Sequence, residues 1–200
     1  MNEGILYVIG TPLGNPDDVT LRAIDVLKEV DSVYAEDTRV TGRLFRHHGI
    51  KTRLMSLYEH NEERKLDSVI EQLKAGDNIA LVSSAGTPGL SDPGYRLISA
   101  AVREDITVTP IPGPAALIAA LSASGLAMER FCFSSFLPRR GEKRVRRLAT
   151  LAAFPGSVAI YESPHRLAQL CRQAIPLFGD RNAVVAREPV SYTHLRAHET

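Results

Sequence analysis

The sequence is poor in several residue types and patterns, and each shortage excludes a class of protein. Its 200 residues include no tryptophan and only two cysteines, Cys132 and Cys171, without the CxxC or Cys/His spacing of a disulfide framework or a zinc site. We interpret both cysteines as small apolar fillers and expect no metal. No apolar run reaches the roughly 20 residues of a membrane span, and residues 1–4 lack the basic start of a signal peptide. These absences favour a globular protein of the cytoplasm.

The formal net charge of +1 conceals an uneven distribution along the chain. Residues 1–130 hold 13 Lys and Arg against 18 Asp and Glu, whereas residues 131–200 hold 11 against 5. Six of these eleven cations lie in residues 138–147, which we name the basic segment. Such a density suits a polyanion such as nucleic acid, although a solvated helix face explains one charged run equally well. The six cations are Arg139, Arg140, Lys143, Arg144, Arg146 and Arg147.

Apolar periodicity predicts strands and helices in alternation. The first predicted helix, residues 20–30, places Leu21, Ile24, Leu27 and Val30 on one face. Strands separated by helices indicate an α/β architecture with largely parallel sheets, in two halves. The predicted strands are 5–9, 32–35, 53–57, 78–82, 107–111, 131–134, 158–161 and 183–187, and the further helices end at 48 or span 62–75, 94–103, 115–124 and 165–175.

The loop at residues 83–94 follows a buried strand and is the most informative stretch of the chain. It contains three glycines and two prolines in twelve residues. Such residues adopt backbone angles that let main-chain groups face a small molecule at close range. Open α/β sheets bind ligands at the carboxyl ends of their strands. We therefore predict a ligand loop here.

Eight short motifs, in order between residues 6 and 188, resemble the tetrapyrrole methylase superfamily and, within it, the members that methylate ribosomal RNA. The resemblance implies a two-domain α/β fold of the class III methyltransferases, with S-adenosylmethionine in the cleft between the domains. The implied reaction is methylation of the 2′-hydroxyl of a cytidine in small-subunit (16S) ribosomal RNA. The implied partners are that RNA, or the assembled small subunit, and a second copy of the chain in a homodimer. The motifs lie at 11–15, 35–39, 60–62, 85–89 with 92–95, 112–114, 120–125, 136–138 and 161–167.

The resemblance also implies the domain limits. Residues 1–113 form an N-terminal α/β domain that carries the acceptor trough and the cofactor loop. Residues 114–190 form an incomplete C-terminal α/β domain, because the family continues with further strand and helix. Residues 191–200 continue no apolar period, and we interpret them as a non-native tail.

The cofactor contacts implied by the resemblance come from both predicted domains. At Ser84 the family usually has Asp, so we expect a weaker hydrogen bond there and a lower affinity for the cofactor. The basic segment is expected to bind phosphates of the RNA. The implied cofactor residues are Ser84, Ala85, Gly86, Thr87, Ser122, Ala123, Phe136, Leu137, Tyr161, Glu162 and Ala186.

Candidate catalytic residues follow the second predicted strand and precede the third helix. A carboxylate of Glu36 or Asp37 would accept the proton of the ribose hydroxyl while Arg39 holds a phosphate. Alternatively, Asp37 or Thr38 caps the next helix and Arg39 pairs with Glu36. His60 is a second candidate base, or else a hydrogen-bonded surface residue of a loop.

Two other functions stay open. A tetrapyrrole ring methylase of the same fold would generally show a glycine-rich GxGxGD-like turn after the first strand, where this chain has Thr-Pro-Leu-Gly-Asn. A non-catalytic RNA-binding module would explain the basic segment but not the loops of the first domain. A dinucleotide-dependent oxidoreductase is disfavoured, because no GxGxxG follows the first strand.

Overall fold

The computed structural model describes residues 3–188 and residue 190, and in them the chain folds as two compact units. The first ends at Ala115 and the second begins at Ala116. The expected tail at 191–200 lies outside the described residues. The strands of the first unit are β1 (Leu6–Ile9), β2 (Ser32–Ala35), β3 (Arg53–Ser56), β4 (Ile79–Val82) and β5 (Val108–Ile111), and its helices are α1 (Leu21–Glu29), α2 (Thr38–His48), α3 (Glu59–Lys74) and α4 (Tyr95–Arg103).

The five strands form one parallel sheet in the order β3-β2-β4-β1-β5. Every residue of β2 and of β4 is buried, as expected for parallel strands covered by helices on both faces. The edge strand β5 contains Pro110, which an edge tolerates because a proline has no N–H to donate to a neighbour. The α/β class with a parallel sheet, predicted from the periodicity, is confirmed.

Alternate side chains of β4 enter two separate hydrophobic clusters. Ile79 and Leu81 pack in one cluster with residues of α3 and α4, and Ala80 and Val82 pack in the other with residues of α1 and α2. Successive side chains of a strand point to opposite faces of the sheet, so one short strand joins both cores.

Local capping sets the limits of the helices. The Thr20 hydroxyl accepts the N–H of Ala23 at the start of α1, and the Asp37 carboxylate accepts the N–H of Arg39 at the start of α2. Gly49 ends α2 in the left-handed conformation, with φ at 65°. The predicted limits of these helices are therefore close to the observed ones.

The register of the strands brings several loops to one edge of the sheet. Val82 is paired with both Ile9 and Ala35, and Ile9 is paired with Ile111. These are the last residues of their strands, so β1, β2, β4 and β5 end side by side. The loops that follow them leave from a common carboxyl edge.

In the described residues, the second unit contains a two-stranded parallel sheet, three α-helices and a short 3-10 helix at Pro164–Arg166. Its small core is formed by Leu137, Leu148 and Leu151, with Cys132 packed against them. The elements are α5 (Ala116–Ala123), β6 (Phe131–Ser134), α6 (Glu142–Ala152), β7 (Ser157–Ile160) and α7 (Leu167–Phe178), with β6 paired to β7.

Three predictions about individual segments are wrong. Residues 183–187 form no strand, because they have no ladder partner among the described residues. Cys171 is exposed on α7 and fills no core. Leu21 is 80% exposed, because it lies roughly 200° around α1 from the buried Ala23.

Among the helices in the described part of the chain, none has both the length and the apolar character needed to cross a bilayer.

Two leucines of α1 provide a matched test of this packing. We expect Leu27→Ala to lower the free energy of unfolding by about 2–5 kcal/mol, because Leu27 is fully buried. The control Leu21→Ala should change it by no more than about 0.5 kcal/mol, because Leu21 is exposed. Urea unfolding followed by circular dichroism measures both. Equal losses would contradict the assigned face of α1.

Candidate active site

Reciprocal backbone hydrogen bonds join the loops that follow β1 and β4. The N–H of Thr11 donates to the carbonyl of Gly86 and the N–H of Gly86 donates to the carbonyl of Thr11, each at 2.9 Å. The buried hydroxyls of Thr11 and Ser83 add bonds to the carbonyls of Ser83 (3.1 Å) and Gly86 (2.9 Å), respectively. The first turn of the predicted ligand loop is thus held against the loop after β1.

The turn at Gly86 requires a glycine. Its φ is 85°, and a Cβ at this position would lie 3.3 Å from Cδ2 of Leu13. Ala85 beside it is exposed, and the Thr87 hydroxyl donates to the carbonyl of Pro114 at 3.1 Å. The loop after β4 is therefore tied to the chain that follows β5, while Ala85 stays exposed to solvent.

Two carboxylates belong to the loops that follow β2 and β4. Glu36 follows the last residue of β2, and its carboxylate accepts the N–H of Ser84 at 3.1 Å. Burial, and after it the negative charge of Glu36, raises the pKa of Asp92 to about 6. Asp92 was not among the site residues predicted from the sequence. The one signal was its position beside Pro93 and Gly94 in the ligand loop.

Asp37 and Arg39 form a local pair. The Arg39 side chain binds the Asp37 carboxylate at 2.7 Å, and the Arg39 N–H donates to it at 2.8 Å. The hydrogen bonds from Arg39 hold the pKa of Asp37 well below its ordinary value. Asp37 is thus a helix cap and an ion-pair partner, as in the alternative interpretation, except that Arg39 pairs with Asp37 and not with Glu36. An occupied and strongly acidic carboxylate is unsuited to accept a proton.

His60 lies in the first turn of α3, and not in a loop as expected, and is exposed. Its neighbours Asn61 and Glu62 are buried. The Asn61 side chain accepts the N–H of Tyr58 at 2.8 Å, and the Glu62 carboxylate accepts the N–H of Leu97 at 3.1 Å. The polar residues of this motif therefore begin α3 and join it to α4.

In the second unit, an aromatic group lies beside the sheet. Tyr161 contacts Phe133 edge to face, with ring centroids 4.8 Å apart, and lies 5.8 Å from Phe136. Phe136 is 56% exposed, so one aromatic surface faces solvent. Ser122 and Ala123 lie at the end of α5, Ser122 exposed, and Ala186 lies after α7.

One predicted cofactor residue of the second unit has a different role. Leu137 is 3% exposed and packs in the core with Leu148 and Leu151. Its side chain therefore contributes to the stability of the unit and offers no surface to a ligand.

Arg144 was predicted to bind RNA, and the structure contradicts this. Its side chain is fully buried and donates to Glu162 at 2.8 Å, to Gln173 at 2.7 Å and to the carbonyl of Pro138 at 3.2 Å. Arg166 pairs with the same Glu162 at 2.7 Å. Three polar partners compensate the burial of the guanidinium, so Arg144 is a core residue that no phosphate reaches.

The same network determines the ionisation of Glu162. Burial opposes ionisation, but the N–H of Ser163, Arg144 and Arg166 together hold the pKa of Glu162 below its ordinary value. Its side chain is 4% exposed and its oxygens are engaged by these partners. Glu162 thus holds the basic segment against the chain after β7.

The other cations of the basic segment are exposed. Arg146 pairs with Glu142 one turn earlier on α6, and the Arg147 Nε lies 3.5 Å from the hydroxyl of Ser134. The five exposed cations are Arg139, Arg140, Lys143, Arg146 and Arg147.

Within the described part of the chain, no group of three or more His, Cys, Asp and Glu side chains is placed to hold a metal ion.

Comparison with known proteins adds independent findings. The sequence profile of the tetrapyrrole (corrin/porphyrin) methylases matches residues 5–195. Two relatives carry the name ribosomal RNA small subunit methyltransferase I. The one from Escherichia coli O157:H7 is 46% identical over 94% of this chain, and the one from Pseudomonas aeruginosa is 47% identical over 94%. The chain spans 66% and 67% of the length of these relatives.

Solved structures of similar fold include a diphthine synthase and a cobalt precorrin-4 methyltransferase. A diphthine synthase superposes with a TM-score of 0.67 at 18% identity, covering 90% of this chain and 74% of its own. A cobalt precorrin-4 methyltransferase superposes with a TM-score of 0.63 at 19% identity, covering 87% of this chain and 73% of its own. At such identities the likeness extends to the fold alone.

The buried network predicts a local effect on stability. We expect Arg144→Met to lower the free energy of opening of α6 and α7 by about 3–5 kcal/mol, because it removes one partner of a buried carboxylate. The control Arg146→Met removes an exposed pair and should cost no more than about 1 kcal/mol. Hydrogen exchange of the amides of α6 and α7 measures both.

The pH dependence supplies a second test of the same variants. The pKa of Glu162 is lowered in the folded state, so its ion pairs stabilise the fold above the ordinary pKa of 4.5. That stabilisation is lost as the pH falls through the folded-state value. The difference between Arg144→Met and the wild type should therefore shrink in acid. A difference that does not depend on pH would count against the ion pair as its cause.

Proposed function

Since this chain belongs to the tetrapyrrole (corrin/porphyrin) methylase family, we propose that it transfers a methyl group from S-adenosylmethionine to the 2′-hydroxyl of a cytidine in small-subunit ribosomal RNA. The resemblance inferred from the eight motifs is thereby confirmed at the level of the family. The observation that carries the proposed activity is 46–47% identity, over 94% of the chain, to relatives named as small-subunit RNA methyltransferases.

The ligand loop fits the cofactor. S-adenosylmethionine supplies a methyl group on a positively charged sulfur, which needs an acceptor oxygen held in line with the breaking bond. At Gly86 the φ of 85° and the side chain of Leu13, 3.3 Å from the position of a Cβ, favour a residue without a side chain. Ser84 adds a hydroxyl where the resemblance leads us to expect a carboxylate. We propose that this loop binds the cofactor through backbone groups.

The aromatic surface of the second unit fits a flat heterocycle. Phe136 is exposed, and the ring of Tyr161 packs edge to face on the ring of Phe133. Aromatic rings stack favourably on a purine and bury apolar area. We propose that these residues contact the adenine, while Ser122, Ala123 and Ala186 contribute further contacts.

Besides binding the cofactor, the protein must position the acceptor hydroxyl. An acceptor hydroxyl held in line at near-attack distance reacts far faster than one that is free, because the entropy of alignment is lost on binding. The loops at 10–16 and 36–37 leave the same edge as the ligand loop, since β1, β2 and β4 end together. We propose that they receive the ribose.

The basic segment supports a polyanionic substrate. Five exposed cations lie in residues 138–147, and the chain after residue 130 is the basic part of the protein. Contacts of this kind fix position on a phosphate backbone without reading its sequence. We propose that RNA phosphates bind to the exposed face of α6 and the turn before it.

The proposed cofactor loop predicts the effect of a methyl group at Gly86. We expect Gly86→Ala to weaken the binding of S-adenosylmethionine at least about tenfold, because the residue has φ at 85° and faces Leu13. Gly49→Ala is the control, because its φ of 65° imposes a similar backbone cost in open space away from the loop. Calorimetric titration of both variants and the wild type measures the effect. Equal affinities in all three would refute the loop as the cofactor site.

The proposed RNA contact predicts the effect of charge reversal. We expect the triple variant R139E/R140E/K143E to weaken binding to small-subunit RNA and to reduce the slope of affinity against salt by about 0.7–0.9 for each phosphate that is no longer neutralised. The control R22E/K28E/R64E changes the net charge equally at exposed positions of the first unit. Filter binding at several salt concentrations compares them. If both variants reduce the slope equally, the effect is one of total charge, and the basic segment has no special role.

A further inference from the structure

A cavity of about 280 Å³ lies in the first unit, between α3 and the strands β2 and β3. Alternate residues of each strand face it, as expected for side chains on one face of a sheet. None of its lining residues belongs to the candidate active site, so the cavity is a separate feature of the unit. The lining residues are Ser32 and Tyr34 of β2, Arg53 and Met55 of β3, and Lys65, Ser68 and Gln72 of α3.

The cavity has a buried end and an open end. Ser32 and Tyr34 are buried in the sheet, whereas Arg53 and Ser68 are exposed. β3 is an edge strand, and β2 lies between it and β4. A small molecule therefore enters from the side of β3 and reaches toward β2.

The buried end contains a polar group without a partner. The hydroxyl of Ser32 makes no hydrogen bond within the described part of the chain, although it is shielded from solvent. Buried polar groups of folded proteins nearly always have a partner, and an orphan marks a place where a bound molecule or water completes the structure. Ser32 lines the cavity, so a ligand there is placed to supply what the protein does not.

The charge of the lining is positive. The Arg53 side chain forms no ion pair or hydrogen bond with the described residues. Lys65 Nζ donates to the carbonyl and the hydroxyl of Ser56, at 2.7 and 3.3 Å, and both of these groups are uncharged. No Asp or Glu is among the described residues that line the cavity. Two cations without a counter-ion favour an anionic ligand.

The rest of the lining is suited to hydroxyl groups. The Gln72 amide donates to the Tyr34 hydroxyl at 3.1 Å and to the carbonyl of Ser68 at 3.0 Å, which fixes these polar groups around the cavity. At about 30 Å³ for each water, the cavity corresponds to about nine water molecules. That is more room than an inorganic phosphate fills, so the ligand has a polar body besides its charged group.

We propose that this cavity binds a small phosphate monoester with a hydroxylated body, of the size of a sugar phosphate. Arg53 and Lys65 bind the phosphate, because a guanidinium presents a fork of donors that matches phosphate oxygens and an ammonium adds a point charge. Ser32, Tyr34 and Gln72 bind the hydroxyls. The proposal goes beyond methyl transfer and does not depend on it, since the cavity shares no residue with the proposed cofactor loop.

The experiment is a titration of the 200-residue chain with ribose 5-phosphate, inorganic phosphate and ribose. Calorimetry gives the affinities, and amide chemical shifts show where each compound binds. The variants are Arg53→Gln, which removes a charge, and Ser68→Phe, which fills the cavity from its exposed rim. The control is Arg22→Gln, an exposed arginine of α1, a helix that packs on the opposite face of the sheet. All three positions are exposed, and the amide spectrum of each variant verifies its fold.

We expect ribose 5-phosphate to bind saturably, with shifts confined to β2, β3 and α3, at least about tenfold more tightly than inorganic phosphate. Ribose should give no measurable binding. Arg53→Gln should weaken the binding of ribose 5-phosphate at least about tenfold, because it removes charged hydrogen bonds to the phosphate. Ser68→Phe should abolish binding, and Arg22→Gln should change it less than about twofold.

Three results would overturn the proposal. The first is a set of shifts that rise without saturation, and the second is an unchanged affinity in Arg53→Gln, which leaves Arg53 as a charge that protects the edge strand β3 from pairing. The third is an equal loss in Arg22→Gln, which shows an effect of total charge.

The proposed methyl transfer is tested separately on the same proteins. Calorimetry with S-adenosylmethionine should give equal affinities for the wild type and Arg53→Gln. A wild type that binds ribose 5-phosphate but not S-adenosylmethionine would overturn the proposed function and leave this site in place. The reverse result would overturn only the sugar phosphate site.

Discussion

The pair of hydrogen bonds between Thr11 and Gly86 is the constraint on which the candidate site depends. It joins the loop after β1 to the loop after its neighbour β4, the central strand of the sheet, and the two residues are 75 positions apart in the chain. The parallel register brings the strand ends together, but this bridge defines how the two loops lie against each other. The exposed residue Ala85, the hydrogen bond of Thr87 to Pro114 and the hydrogen bond of Ser84 to Glu36 all lie within two residues of Gly86.

Charge has opposite uses in the two units. In the first unit, burial, and after it the negative charge of Glu36, raises the pKa of Asp92 to about 6. In the second, a carboxylate is surrounded by Arg144, Arg166 and the N–H of Ser163, which keeps Glu162 ionised in a buried place. The first environment disfavours the ionised carboxylate, whereas the second compensates the burial of charge with hydrogen bonds.

The basic segment shows how one run of charge divides between structure and surface. Arg144 is directed inward by α6, and its guanidinium lies buried among polar partners beside a small apolar core. The other five cations remain on the outside. The number of cations in a charged run therefore does not give the number of phosphate contacts. One of the six, Arg144, is buried, so its mutation is expected to lower the stability of the fold and not the affinity for RNA.

Features that depend on neighbouring residues could be inferred from the sequence alone. Thr20, Asp37 and Gly49 mark helix ends through local hydrogen bonds or backbone angles, and the limits of these helices follow from them. The strand order, the inward direction of Arg144 and the hydrogen bond of Ser84 to Glu36 emerge only in the folded chain. These depend on contacts between residues far apart in the chain, such as Ser84 and Glu36 at a separation of 48. Periodicity and spacing carry no information about such contacts, because they describe only which face of an element a residue occupies and not what packs against it.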